Sequence, residues 1–242
     1  MLMQNNSTAA VQRQRDYYAR MAVDFDAMHV DSADEHGRAL NAFVGLAETF
    51  GPVTSVLDVG AGTGRAVLKL SETWKQANVV GIEPVAEQRK MGYAKGISSE
   101  KLMPGDAQNL SFDDNSFDWV IETGALHHMP SPLRAVAEMT RVAKTGVMIS
   151  DINNVGQGSA INRNIKYALN VMGLWPAFEW LKTKGKMYRY DEIDGVTYFF
   201  SAFWCVSVVK RKFPNIYYMS TGKFLGYDLY RGASHVMIVA VK

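Results

Sequence analysis

The 242-residue chain contains a single cysteine, Cys205, which excludes an internal disulfide and is compatible with a reducing compartment. The first twenty residues lack the basic-then-apolar pattern of a secretory leader, and no apolar run approaches membrane-spanning length. Lysine and arginine number 26 against 24 acidic residues, an excess too small to predict nucleic-acid binding. We therefore expect a cytoplasmic protein with no membrane span and no nucleic-acid partner.

Short apolar segments alternate with helical segments along most of the chain. The apolar segments that predict β-strands are residues 55–59, 78–82, 101–103, 117–122, 146–152, 215–220 and 235–241. The helical segments between the first five make βαβ units, which give parallel strands covered by helices. The prediction is an α/β fold with a doubly wound, seven-stranded, mostly parallel sheet and an antiparallel C-terminal edge strand.

The alternation breaks down between residues 153 and 201, and this break divides the chain. We expect residues 1–50 to form helices that cover a ligand, and residues 51–152 with 202–242 to form the core. Residues 153–201 then leave the fifth strand at the end where open α/β sheets bind ligands. The insert is predicted to be a mobile, mostly helical cap, and residues 202–213 a single helix that returns to the core.

A glycine-rich turn follows the first predicted strand, in the sequence Ser55-Val-Leu-Asp-Val-Gly-Ala-Gly-Thr-Gly-Arg65. Glycines here let the backbone turn sharply and approach a ligand closely. The dinucleotide fingerprint requires a glycine where this chain has Arg65, and the Asp58 carboxylate would repel a pyrophosphate. A cationic ligand without phosphate, such as S-adenosylmethionine with its sulfonium and ammonium groups, fits an acidic turn better. An NAD-dependent oxidoreductase remains the alternative enzyme.

Two further acidic residues fall at the ends of the next strands. Glu83 ends the second strand about 20 residues beyond the glycines, where an acidic side chain accepts hydrogen bonds from ribose hydroxyls. Asp106 follows the third strand, where a carboxylate can accept from the adenine amino group. We expect both carboxylates to be solvated in the free protein. The series predicts a site for S-adenosylmethionine.

With these motifs the chain resembles the class I S-adenosylmethionine-dependent methyltransferases, with a Rossmann-like core, and in particular their small-molecule branch similar to ubiquinone- and menaquinone-type methyltransferases. The resemblance rests on residues 56–65, 81–84, 105–110 and 117–129. It implies methyl transfer to a small molecule, and it leaves open whether the methylated atom is O, N or C. The cofactor-binding residues that it implies are Tyr18, Asp58, Gly60, Ala61, Gly62, Glu83, Pro84, Asp106, Ala107, Glu122 and Thr123. A catalytically silent binding protein of the same fold is the alternative from another class.

Alignment of the acceptor is the main requirement of methyl transfer, and a general base is needed only when the acceptor must lose a proton. His128, just after the fourth strand, is the catalytic candidate, with a helix-capping role as its alternative; His127 is expected to point away. His36 and His29 are further candidates. Asp151 and Asn153 with Glu122 are residue types that could hold Mg²⁺, but in this branch Glu122 borders the cofactor, so we predict no metal.

The insert contains the candidate acceptor-binding residues Tyr188, Tyr190 and Tyr198, whose rings could line an apolar pocket or simply pack the cap. Residues 167–180 are largely apolar and are followed by Lys182, Lys184 and Lys186. This pattern fits a lid helix with a solvated basic end, and it is also found in helices at membrane surfaces. The sequence leaves open the acceptor, the oligomeric state and any contact of the cap with lipid.

Overall fold

The computed structural model describes residues 2–29, 33–224 and 226–242, with side chains from residue 8 onward except that of His29. The helices that precede the sheet are α1 (Leu2–Met21), α2 (Phe25–His29) and α3 (Glu35–Glu48). Asp34 caps α3 by accepting a hydrogen bond from the Gly37 amide. Among the described residues, no helix is long and apolar enough to cross a membrane.

The core alternates strands and helices as the sequence predicts. Its elements in chain order are β1 (Ser55–Val59), α4 (Arg65–Thr73), β2 (Asn78–Ile82), α5 (Ala86–Ala94), β3 (Leu102–Met103), β4 (Phe117–Thr123), α6 (Pro132–Val142) and β5 (Ala143–Ile152). Four residues of β1 and six of β4 are buried, because helices cover both faces of the sheet. These buried runs separate two apolar clusters, one on each face.

Seven strands form one sheet in the order β3-β2-β1-β4-β5-β9-β8, where β8 is Asn215–Ser220 and β9 is His235–Val241. The first five strands are parallel, and the C-terminal strand β9 runs antiparallel to both β5 and β8. The strand order reverses between β1 and β4, and ligands of open α/β sheets bind at such a switch point. The predicted fold class is confirmed.

The insert contains more helix than strand, as the sequence predicts, but it also includes a β-hairpin. It contains α7 (Ala160–Val171) and α8 (Trp175–Lys182), followed by an antiparallel hairpin of β6 (Tyr188–Asp191) and β7 (Gly195–Tyr198). The hairpin forms because β-branched and aromatic residues flank a turn in which the Asp191 side chain accepts from the Ile193 and Asp194 amides. The insert therefore combines the predicted helices with a hairpin that the sequence analysis did not predict.

The helix predicted over residues 202–213 is also corrected. The chain forms a 3₁₀ turn at Ala202–Cys205 and only one α-helical turn, α9 (Val206–Val209); a further turn, α10 (Leu229–Gly232), precedes β9. Phe213 remains fully buried, and the Lys212 ammonium donates to three carbonyls at the junction of α6 and β5. Packing of this segment against α6 is thus achieved without a long helix.

Candidate active site

A cleft opens at the carboxyl ends of β1, β2 and β4, where the strand order reverses. The glycine turn forms one wall, the β4 end another, and α1 lies over the opening. The predicted cofactor-binding residues that line it are Tyr18, Gly60, Gly62, Glu83, Pro84, Asp106, Ala107 and Thr123. Side chains predicted from widely separated segments are therefore brought together at one place.

The glycine turn requires glycine for conformation and for space. Gly60, Gly62 and Gly64 all have positive φ, of 77°, 55° and 84°. A Cβ on Gly60 would lie 2.6 Å from the Cβ of Ala125, which follows β4. Glycine at this position therefore lets the turn pack closely against the end of β4 while its backbone lines the cleft.

Asp58 lies beneath this turn, fully buried, with one carboxylate oxygen that has no hydrogen-bond partner. Burial raises its pKa to about 7, although the nearby Arg65 cation acts in the opposite direction. The side chain is not among those that line the cleft. An unpartnered buried carboxylate is costly to the folded protein, which favours a role with a cation nearby.

Glu83 is buried as well, with 7% of its surface exposed, and so the expectation of a solvated carboxylate is wrong. Its two oxygens accept hydrogen bonds from the Gly62 amide at 3.1 Å and the Val85 amide at 2.8 Å. Burial raises the pKa of Glu83 despite these bonds. The carboxylate thus ties the glycine turn to the end of β2 while it faces the cleft. Asp106, in contrast, is exposed at the cleft edge.

Glu122, like Asp58 and Ala61, is a predicted cofactor residue that does not line the cleft. Its side chain is buried below the cleft, where it accepts hydrogen bonds from the Ala125 amide and, at 3.2 Å, from the Leu126 amide. Burial, followed by the negative charge of Asp151, raises its pKa well above the ordinary value. Thr123, the next residue, lines the cleft instead, because successive residues of a strand point to opposite faces.

Helix α1 contributes directly to the cleft. Val11, Gln14, Arg15 and Tyr18 are among its lining residues. The Gln14 side chain also binds the β7 backbone, accepting from the Val196 amide and donating to the Asp194 carbonyl. The N-terminal helix is thereby held between the cleft and the hairpin of the insert.

A second cavity of about 550 Å³ adjoins the cleft and is lined by four of the five histidines of the chain. They are His36, His127, His128 and His235. Ile193 and Asp194 from the hairpin turn and Ala61 from the glycine turn also line it. Burial lowers the pKa of His36 to about 4 and lowers that of His235, so both rings are neutral near pH 7. Sequence reasoning did not select His235, because it lies on the last strand with no motif around it.

His128 lies on the wall between the two cavities, with both ring nitrogens engaged. Its Nδ1 lies 2.7 Å from the Val196 carbonyl oxygen and 3.0 Å from the Gln14 amide nitrogen. We assign the shorter contact as the hydrogen bond, so that Nδ1 carries the proton and donates to Val196. With this tautomer Nε2 accepts from the Tyr18 hydroxyl, 2.7 Å away. Burial raises the pKa of Tyr18 well above 10, which keeps that hydroxyl protonated. The Asp194 carboxylate lies 3.4 Å from the same Nε2.

His127 does not point away from the site, contrary to the sequence prediction. Its Nδ1 lies 2.6 Å from the buried Asp151 carboxylate, and its Nε2 lies 3.5 Å from Asp194. Burial alone would lower the pKa of His127, but Asp151 raises it to about 10. The His127 cation in turn lowers the pKa of Asp151 against the effect of burial. The two side chains form a buried ion pair that holds the turn after β4 against β5.

Of the residue types that could hold Mg²⁺, Asp151 and Asn153 have other partners, and Glu122 accepts two backbone hydrogen bonds through one oxygen while its other oxygen has no partner. Asn153 donates to the Tyr230 and Ala233 carbonyls at 2.8 and 2.9 Å and accepts from Ser201. A different group, His127, His128 and Asp194, brings ligand atoms within 4.8 Å of one another. Three of the four histidine nitrogens there already bond Asp151, Val196 or Tyr18, and the fourth, His127 Nε2, lies 3.5 Å from Asp194. These contacts form a network that connects the turn after β4 to the hairpin.

The three tyrosines predicted to bind the acceptor lie outside both cavities. Tyr190 packs under the Arg13 guanidinium, 3.5 Å from its ring centroid, and contacts α1. Tyr188 pairs with Tyr198 across the hairpin. Tyr198 lines a third cavity, which shares Ile152, Asp194 and His235 with the second, and its buried hydroxyl has no partner. The side chain of His29 lies outside the described residues.

Comparisons with known proteins agree with this geometry. Residues 57–150 match the family model of a methyltransferase domain. A demethylmenaquinone methyltransferase from Staphylococcus aureus is 35% identical over 136 residues, which are 55% of this chain and 56% of that protein. The chain thus matches little more than half the length of this curated relative.

Solved structures share the fold. A methyltransferase from Thermotoga maritima has a TM-score of 0.59 over 95% of this chain and 99% of its own, at 18% identity. One from Methanosarcina mazei has a TM-score of 0.55 over 81% and 96%, at 20% identity. The predicted cofactor is confirmed as S-adenosylmethionine, and the NAD-dependent alternative is set aside. Residues 57–150 are therefore similar to a methyltransferase domain, and the chain as a whole has the fold of S-adenosylmethionine-dependent methyltransferases.

Proposed function

We propose that this chain transfers the methyl group of S-adenosylmethionine to a small-molecule acceptor bound in the histidine-lined cavity. One observation carries the proposal: the cleft and this cavity meet at a common wall. The residues that line both are Tyr18, Phe25, Gly60, Gly62, Thr123, Gly124 and His128. A donor in the cleft and an acceptor in the cavity would therefore lie side by side, which is the arrangement that a direct transfer requires.

The cleft residues suggest how the cofactor would be held. Glu83 would accept from the ribose hydroxyls, and Asp106 with the Ala107 amide would bind adenine. The glycine turn leaves space for the methionine part, with Asp58 below to balance its ammonium charge. When bound, S-adenosylmethionine supplies a methyl carbon that its sulfonium has already activated. The protein then has to align the acceptor and exclude water, and alignment contributes about 7–11 kcal/mol in favourable cases.

His128 is the residue that would accept a proton from the acceptor. Its Nδ1 proton is held by the Val196 carbonyl, which leaves Nε2 as the basic atom at the shared wall. An acceptor hydroxyl or amine that displaces the Tyr18 hydroxyl from Nε2 would find a base already oriented. General bases of this kind contribute roughly 10²–10⁴-fold to rate. The hairpin turn would select the acceptor through Ile193 and Asp194. We set the activity in the cytoplasm, since Cys205 is free and buried.

A screen of candidate acceptors by mass spectrometry tests the proposal. The purified chain is incubated with S-adenosylmethionine and pooled small nucleophiles, including phenols, amines and hydroxylated quinones. We expect one acceptor class to gain a single CH₂ unit in mass, with S-adenosylhomocysteine formed in equal amount.

His128→Ala should abolish most of this turnover. Tyr93→Phe serves as the matched control, because it removes a Tyr93 hydroxyl that donates to the Leu102 carbonyl away from the common wall. If the protein binds S-adenosylmethionine tightly but forms no S-adenosylhomocysteine with any of the acceptors, it would instead be the silent binding protein.

A further inference from the structure

Exposed apolar side chains are concentrated on the cap helices. Among the described residues, sixteen large apolar or aromatic side chains are exposed, and eight of them lie between residues 161 and 181. These eight are Ile161, Ile165, Val171, Met172, Leu174, Phe178, Trp180 and Leu181. Helix α7 buries no residue at all. Soluble proteins rarely expose apolar side chains at this density without a binding role.

The exposed residues follow helical spacing. Ile161, Ile165 and Met172 share one side of α7, and Leu174, Phe178 and Leu181 share one side of α8. Another side of α8 packs within the chain. The rings of Trp175 and Phe199 stack with their centroids 3.8 Å apart, and the buried Glu179 carboxylate lies 2.6 Å from the Arg189 guanidinium. The exposed stripes are therefore available surface on a cap that is anchored elsewhere.

The charge on the same segment has one sign. Residues 157–187 contain five basic side chains, Arg163, Lys166, Lys182, Lys184 and Lys186, and a single acid, Glu179, which is buried and paired. The segment contributes +4 to a chain whose net charge is +2, so the remainder carries −2. Lys182, Lys184 and Lys186 are exposed beside the apolar stripes. We call these eight apolar residues and three lysines the cap surface.

We propose that the cap surface docks reversibly on a bilayer that contains anionic lipids. An apolar helical face buries at the boundary of headgroups and acyl chains, and flanking lysines are attracted to anionic headgroups. Trp180, half exposed, is of the residue type enriched at that boundary. A second copy of the chain is a poorer occupant, because it would bring the same lysines against these. The proposal does not depend on methyl transfer, since docking is measured without cofactor or acceptor.

Flotation with vesicles tests this surface. The full chain is mixed with vesicles of phosphatidylcholine alone or of phosphatidylcholine with phosphatidylglycerol, and the lipid concentration for half-maximal binding is measured. We expect binding to the anionic vesicles, at least tenfold weaker binding to the neutral ones, and weakening at raised ionic strength.

Two matched pairs of variants locate the binding surface. Lys182→Glu with Lys186→Glu should raise the half-maximal lipid concentration at least tenfold, whereas Lys75→Glu with Lys90→Glu, also exposed, should leave it unchanged. Ile161→Ser with Leu181→Ser should weaken binding by a similar factor, and Val23→Ser, 74% exposed, should not. Equal melting temperatures would establish that the variants are folded.

Three results would overturn the proposal. The first is failure of the wild-type chain to float with anionic vesicles. The second is undiminished flotation of the Lys182→Glu, Lys186→Glu variant. The third is a dimer in sedimentation velocity that Leu181→Ser converts to monomer, which would assign the apolar stripes to contact between copies.

Discussion

The Tyr18 hydroxyl donates a hydrogen bond to His128 Nε2 across 2.7 Å and so joins the N-terminal helix to the turn after β4. The bond lies on the wall shared by the cofactor cleft and the histidine-lined cavity. It sets the tautomer of His128 together with the Val196 carbonyl. An acceptor proton that is transferred to His128 would therefore be transferred where α1 contacts the turn after β4.

Tyr18→Phe should lower the acceptor KM severalfold and leave the Kd for S-adenosylhomocysteine within about threefold. The phenyl ring keeps its packing against Phe25, while the acceptor no longer has to displace a hydroxyl from His128 Nε2. Steady-state kinetics and calorimetry measure the two quantities. A variant with unchanged acceptor KM would show that the hydroxyl only closes α1 over the cleft.

Glu83→Gln should weaken S-adenosylhomocysteine binding at least tenfold. Hydrogen bonds to a charged group are worth about 1.5–3 kcal/mol each, and about 1.4 kcal/mol corresponds to tenfold in affinity. Glu87→Gln, on the exposed side of α5, is the control. Wild-type affinity in Glu83→Gln would mean that this carboxylate serves only the Gly62 and Val85 amides.

Asp58→Asn should stabilise the free protein more at pH 8 than at pH 5. The folded pKa of Asp58, about 7, lies above its value in the unfolded chain, so the unfolded state ionises first and stability is lost as pH rises towards 7. Asp58→Asn removes the ionisable group, so its gain in the free energy of unfolding should be about 2–3 kcal/mol larger at pH 8 than at pH 5. Urea unfolding at both pH values measures it, and an equal effect at pH 5 and pH 8 would contradict a buried, proton-holding Asp58.

Tyr198→Ala should raise the acceptor KM severalfold with little change in cofactor affinity, because Tyr198 lines the third cavity, which shares Asp194 and His235 with the histidine-lined cavity. Asp106→Ala should do the reverse, since Asp106 lies at the cleft edge. Tyr190→Ala, whose ring packs against α1, should leave the acceptor KM unchanged. If Tyr198→Ala alters only cofactor binding, the assignment of acceptor residues is mistaken.

Removal of divalent metal should leave turnover unchanged. Three of the four ring nitrogens of His127 and His128 bond Asp151, Val196 or Tyr18, and Asn153 is engaged with backbone carbonyls and Ser201. Assay after treatment with a chelator checks this, with the Tyr93→Phe protein in parallel. Activity lost on chelation and restored by Mg²⁺ or Zn²⁺ would require a metal at the His127, His128 and Asp194 group.

The sequence predicted the sheet, and it selected many of the residues that line the cleft, because these signals are local. Strand boundaries follow from apolar runs, and the glycine turn can be recognised from its composition and its position after a strand. Glu122 and Thr123 show the limit: adjacent residues at a strand end face opposite sides, and a shift of one decides which reaches the cleft.

Other features depend on tertiary contacts that no local pattern records. His36 and His235 meet in one cavity from α3 and the last strand, separated by most of the chain. The prediction of a single helix over residues 202–213 is wrong, because packing against α6 overrides the helical periodicity of that segment. The hairpin of the insert did carry a local signal, Tyr188–Asp191 and Gly195–Tyr198 around a short acidic turn, which the helical interpretation of the insert passed over.

Calorimetric titration of the full chain with S-adenosylhomocysteine, and separately with NAD, tests the central claim most directly. We predict one site per chain for S-adenosylhomocysteine, a raised melting temperature in its presence, and no heat with NAD. The absence of S-adenosylhomocysteine binding at millimolar concentration, together with saturable binding of NAD, would contradict the assignment of the cleft.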